Sequence, residues 1–223
     1  MDQPLYILAL YFHILGWVLW LGTDVGVIVG TKFTEDAQLS AETRLTILKL
    51  AMILDVMPRL MVPIVFATGL YMQSAGLGIE FPGTVMGIVL SVIWLAVVAI
   101  NVVSDDMSKV GAASKMGVLV IQGLAVVGMG GAAIISLTGA DIFPAWLAFK
   151  WLTYAWIATF AIGIDVTFKP AVIDYLRLQT EGASNELNAS LSKNLKPVYV
   201  TVLAVYLGTM VAAYFGIAKP VLG

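Results

Sequence analysis

The chain has one histidine, His13, set within an apolar run, and imidazole can act as a base, a proton carrier or a ligand to haem iron. His13, Trp17, Trp20 and Asp24 follow an i, i+4, i+7, i+11 spacing, which places them in one stripe on one helix face. Lys150 is a second ionisable group in apolar surroundings. In hydrocarbon such a residue costs about 2.5–3.5 kcal/mol on insertion scales, so both positions are candidates for function. Each has a structural reading as well. His13 could be a buried imidazole satisfied by a carbonyl of a neighbouring helix, Lys150 could extend its stem to the interface, and Trp17 and Trp20 could be core aromatics.

Asp24, Asp55, Arg59 and Asp165 form a second group, each expected within about two turns of one end of its helix. Asp55 and Arg59 stand i, i+4 with the acid first, the favourable order on one helix. Pro58 and Pro63 interrupt that helix and free carbonyls. This polar cluster is either a set of ion pairs tying the first two helices together or an ion- or proton-responsive site. Met57 and Met61, also i, i+4, offer thioethers to a soft metal such as copper, although methionine is equally a core filler.

Other chemistries are excluded by composition. There is no cysteine, hence no thiolate, disulfide, Cys-ligated zinc or iron–sulfur cluster. One histidine forbids a bis-histidine haem or a multi-histidine metal site within one chain. Twelve Lys and Arg against fourteen Asp and Glu give no basic face for nucleic acid. No phosphate loop, nucleophile elbow or dinucleotide fingerprint is present.

These residues need elements to hold them, and with 60% hydrophobic against 12% charged residues the elements are membrane helices. Six runs reach the roughly 20 residues that span a bilayer: Leu5–Gly30, Leu48–Ser74, Pro82–Val103, Met116–Thr138, Phe143–Ile164 and Val198–Ile217. The expected fold is an all-α polytopic membrane helix bundle, a single integral membrane domain over residues 1–223 with amphipathic cytoplasmic connections. Met1-Asp2-Gln3-Pro4 leads directly into the first run, which reads as an uncleaved spanning helix.

Thr31–Ile47, Ser104–Lys115 and Asp165–Pro197 are polar, whereas Ala75–Phe81 and Gly139–Ile142 are short turns without Lys or Arg. The positive-inside rule then puts both termini outside, in a bacterial inner membrane. Thr34–Lys49 reads as a helix running into the second span, and Ala171–Leu195 as an amphipathic surface element broken near Gly182. Gly22-Thr23-Asp24 and Gly163-Ile164-Asp165, each expected to end its span, hint at a parallel internal repeat. Gly123, Gly128, Gly130, Gly131, Ala132 and Ala133 in the fourth span read as marks of close helix packing rather than of a binding loop.

The run Phe12-His13-Ile14-Leu15-Gly16-Trp17-Val18-Leu19-Trp20-Leu21-Gly22 resembles the first membrane segment shared by the copper-resistance CopD family, the HemJ protoporphyrinogen oxidases and related domains. Trp146-Leu147-Ala148-Phe149-Lys150 resembles the helix start that supplies an intramembrane lysine in HemJ-like proteins. The likeness covers about twenty residues in one place and ten in another. It departs at Asp24-Val25-Gly26-Val27, where the family has a basic-aromatic run, in the number of spans, and in the lack of further histidines.

The resemblance implies haem b with His13 as axial ligand, a slot at Gly16, Trp17 and Trp20, and Lys150 as a catalytic group, propionate partner or second ligand. The expected function is electron transfer or oxidation of a membrane-soluble substrate, with a redox partner or a second copy alongside. Two alternatives are a transporter of a small ion or solute, copper included, using Asp24, Asp55, Arg59 and Asp165, and a structural subunit of a larger membrane complex.

Overall fold

A computed structural model describes residues 3–79, 83–104, 108–140 and 142–220. The Met1-Asp2 start, the Pro82 start of the third span and parts of the connections at 80–82, 105–107 and 141 lie outside the described residues. The described residues are all-α: α1 (Gln3–Phe33), α2 (Ala41–Leu54), α3 (Val56–Tyr71) with a π turn at Met72–Gly76, α4 (Thr84–Val103), α5 (Lys109–Ile135) with a π turn at Ser136–Ala140, α6 (Ala145–Glu181) and α7 (Asn185–Ala218). Among the described residues six helical stretches, α2 and α3 counting as one, are long and apolar enough to cross a membrane. The chain is a multi-pass membrane protein.

Local chemistry sets the helix ends. The Ser40 hydroxyl accepts the Thr43 N–H at 3.2 Å where α2 begins, and Ser184 accepts the Leu187 N–H at 3.2 Å where α7 begins. The α2–α3 break falls at Asp55, because the Pro58 ring opposes the Leu54 carbonyl four residues earlier. Gly182, at φ 80°, stops α6 in a conformation that side chains avoid, and Gly139, at φ 119°, does so after α5.

Several helices outrun the expected spans. Nothing breaks α1 at Asp24 or α6 at Asp165, so α1 continues to Phe33 and α6 to Glu181, and neither Gly-x-Asp triplet ends its helix. At 1.5 Å per residue α6 is about 55 Å long and α7 about 51 Å, against a hydrocarbon core of about 30 Å. The stretch 171–195 is therefore not a separate surface element. It is the continuation of two spanning helices, with the expected break at Gly182 as the tip between them.

The chain packs as two compact units, Met1–Val27 with Ala51–Ile121 and Ile28–Leu50 with Gln122–Gly223. In the first, glycines bring helices close: a Cβ on Gly16 would stand 2.6 Å from Val65 Cγ2, and one on Gly87 2.6 Å from Leu70 Cδ1. In the second, Gly208 lets α7 meet Ile157 and Trp156 of α6, and the Trp156 indole donates to the Ala204 carbonyl at 3.0 Å.

A buried core of the second unit lies largely in the expected polar connections. Ala171, Tyr175 and Leu178 of α6 meet Leu187, Leu191, Leu195, Val198 and Val202 of α7, with Leu45 and Leu48 of α2 packed against them.

Candidate functional site

His13 meets Val65 and Thr68 of α3 and Trp17 of its own helix, all within the first unit. Its Nδ1 lies 2.9 Å from the Val65 carbonyl oxygen and 3.1 Å from Thr68 Oγ1, and its Nε2 lies 3.3 Å from Trp17 Nε1. An indole N–H can only donate, so Nε2 is the acceptor and Nδ1 carries the proton. His13 is thus a neutral imidazole, donating from Nδ1 to a backbone oxygen of α3. Gly69 leaves room for the ring, since a Cβ there would stand 3.2 Å from His13 Cε1.

The rest of the stripe continues along α1. Trp17 and Trp20 pack with ring centroids 5.5 Å apart, Trp20 buried and Trp17 half-buried. Gly16 does not open a slot: the space its missing side chain leaves is filled by Val65. Val65, Thr68 and Gly69 were not legible as partners of His13.

The polar cluster is divided between the two units. Asp24, Asp55 and Arg59 belong to the first and Asp165 to the second. Arg59 Nε and Nη2 meet Asp55 Oδ2 at 2.7 and 2.5 Å, across the first turn of α3. Both side chains are partly exposed, 49% for Arg59 and 30% for Asp55, which limits such a pair to about 0–1 kcal/mol. Asp24 is half-buried on α1, and Asp165 is exposed on α6.

Lys150, in the second unit, lies against the last turns of α7. Its Nζ stands 2.7 Å from where a Cβ on Gly216 would be. Among the described residues there is no group of three or more His, Asp or Glu placed to hold a metal ion.

A fully buried cation escaped the sequence reading. Arg44, at 0% exposure, donates from Nε to the Thr34 carbonyl at 2.6 Å and from Nη1 to Asn188 Oδ1 at 2.7 Å. The Thr34 hydroxyl donates to the Thr31 carbonyl at 2.6 Å, so the Tyr175 hydroxyl, 2.5 Å away, donates to it. Asp174, also buried, accepts from Ser190 and Asn194.

Glu35 completes this network, accepting from Ser192 at 2.7 Å and Tyr199 at 2.5 Å. Burial raises the pKa of the Glu35 carboxyl, but hydrogen bonds from Tyr199, Ser192 and Lys32 outweigh it and hold the group below its ordinary value. A signal for Arg44 did exist: it shares an i, i+4, i+7 stripe with Leu48 and Ala51.

No family model, no curated protein and no solved structure matches the chain.

Proposed function

We propose that this membrane protein binds haem b through His13 and serves electron transfer or the oxidation of a membrane-soluble substrate. The observation that supports this reading is the tautomer. A metal-ligating histidine donates one ring N–H to a carbonyl or carboxylate and offers the other nitrogen to the metal. His13 has that arrangement, with Nδ1–H on the Val65 carbonyl and a lone pair on Nε2. The indole on Nε2 is a single long hydrogen bond, and giving it up costs about 1 kcal/mol. The residues therefore fit an axial ligand once Trp17 turns aside, with Trp20 as an apolar wall.

Haem would supply one-electron chemistry. The chain's part is to hold the imidazole neutral and oriented from α3 and to keep water out. The resemblance of the first and fifth spans to CopD and HemJ proteins points the same way.

Purification in mild detergent from haem-replete cells should give a Soret band that is lost in His13→Ala and kept in Asp24→Asn. Trp17→Phe, which removes the competing donor, should keep or strengthen it. A colourless wild-type protein would overturn the haem reading.

A transporter of a small ion or solute, copper among the cargoes, is the second reading. It draws on the partly exposed Asp55–Arg59 pair at the α2–α3 break. Uptake into proteoliposomes that survives Arg59→Gln and Asp24→Asn would end it.

The charge asymmetry of the connections supports a bacterial inner membrane with both termini on the outer face. Because the chain has no cysteine, single probes can be introduced. In intact cells an impermeant maleimide should label Ala140→Cys and leave Ala183→Cys unlabelled until the cells are lysed. The reverse pattern would invert the topology.

A further inference from the structure

Where α6 begins and α7 stops, the second unit carries two lysines that pair with no acid among the described residues. Lys150 of α6 lies on Gly216 of α7. One turn further out, Lys219 Nζ stands 5.8 Å from the centre of the Trp146 ring. Trp146 and Lys150 are i, i+4 on α6, Gly216 and Lys219 are i, i+3 on α7, and the two pairs meet in antiparallel register. Among the described residues neither lysine makes an ion pair with an acid.

Lys150 is half-buried and Lys219 exposed, and two ammonium groups on one pair of helix ends favour an anion between them. The carbonyls at the end of α7 attract Lys150, as a helix C-terminus attracts any cation. The Trp146 face attracts Lys219 in the same way, and neither partner neutralises a charge. The position at the ends of two spanning helices, beside an indole of the kind that sits at headgroup level, selects the anion. Basic pockets between membrane helices take lipid headgroups, and an ammonium is a compact partner for phosphate.

We propose that Lys150, Lys219 and Trp146 form a site for the phosphodiester headgroup of an anionic phospholipid. Gly216 is part of it, because any larger residue would push the Lys150 ammonium out of the notch. The site does not depend on the haem reading, which concerns the first unit alone.

The test is the melting temperature of the full-length protein in a neutral detergent, followed by tryptophan fluorescence. Phosphatidylglycerol, phosphatidylcholine and inorganic phosphate are added separately at matched ionic strength. Phosphatidylglycerol is expected to raise Tm by several degrees, and the other two are not. In Lys150→Gln/Lys219→Gln that rise should fall by at least half. Lys219→Gln alone, at an exposed position, should also diminish it and serves if the double variant does not fold.

A purely structural role for the lysines would lower Tm equally with and without lipid and leave the lipid-induced rise intact, which would overturn the proposal. An equal rise from phosphatidylcholine would overturn it by showing no preference for an anionic headgroup. A full rise from inorganic phosphate would overturn the lipid as the source of the anion.

Discussion

Replacing Arg44 by alanine should destabilise the protein by about 2–5 kcal/mol, more than any change at the better-advertised charges of the first unit. The guanidinium is fully buried, and its loss would strand the Thr34 carbonyl and Asn188 Oδ1, which it holds at 2.6 and 2.7 Å. A buried acceptor left unsatisfied costs about 1–3 kcal/mol, and the vacated volume adds to that. Arg44→Met keeps the stem's packing and loses only the polar part, so it should cost roughly half as much.

Arg59→Met offers the contrast. Its pair with Asp55 spans the first turn of α3, and Asp55 is 30% exposed, so losing that pair should cost no more than about 1 kcal/mol. Denaturant unfolding in detergent, followed by circular dichroism, ranks the three variants. If Arg44→Ala falls within error of the wild type, or Arg59→Met exceeds it, the buried network is not what holds the second unit together.

That ranking reverses what the sequence suggested, and the reason is physical. Local patterns were legible. Six apolar runs became six spanning stretches, the i, i+4 order of Asp55 and Arg59 produced a pair, and Gly182 broke the chain where expected. What depended on a partner distant in sequence was not.

That His13 meets a carbonyl of a neighbouring helix was one of its two sequence readings, but a carbonyl has no residue identity, so nothing in the sequence singled out Val65. Gly16 promised an opening, but whether a glycine leaves a slot or admits a neighbour depends on the facing helix, and here Val65 fills it. Arg44 looked like one more cation of a polar connection, because hydropathy cannot show that Thr34 and Asn188 converge on it from 10 and 144 residues away. The helix lengths were hidden for a related reason. Hydropathy marks where lipid ends, not where a helix does, and α6 and α7 continue because each gives the other a core.

That core leads to a comparison between two leucines of the same helix. Leu191→Ala should cost about 2–5 kcal/mol, and Leu207→Ala, inside the spanning part of α7, less than about 1 kcal/mol. Leu191 is 0% exposed among Tyr175, Leu178, Leu187 and Leu195, so truncation leaves a cavity in a close-packed site. Leu207 is 60% exposed and meets lipid tails or detergent, which fill whatever alanine vacates.

In ordinary membrane helices apolar burial in the spans contributes little, because the surroundings are as apolar as the side chain. Where α6 and α7 extend beyond the hydrocarbon, water is the competitor and each buried methylene regains its usual weight of about 0.8 kcal/mol. Paired measurements of unfolding for the two variants decide it. Equal costs, or a larger one at Leu207, would mean that the stability of the second unit resides in its spans rather than in the hairpin that projects from them.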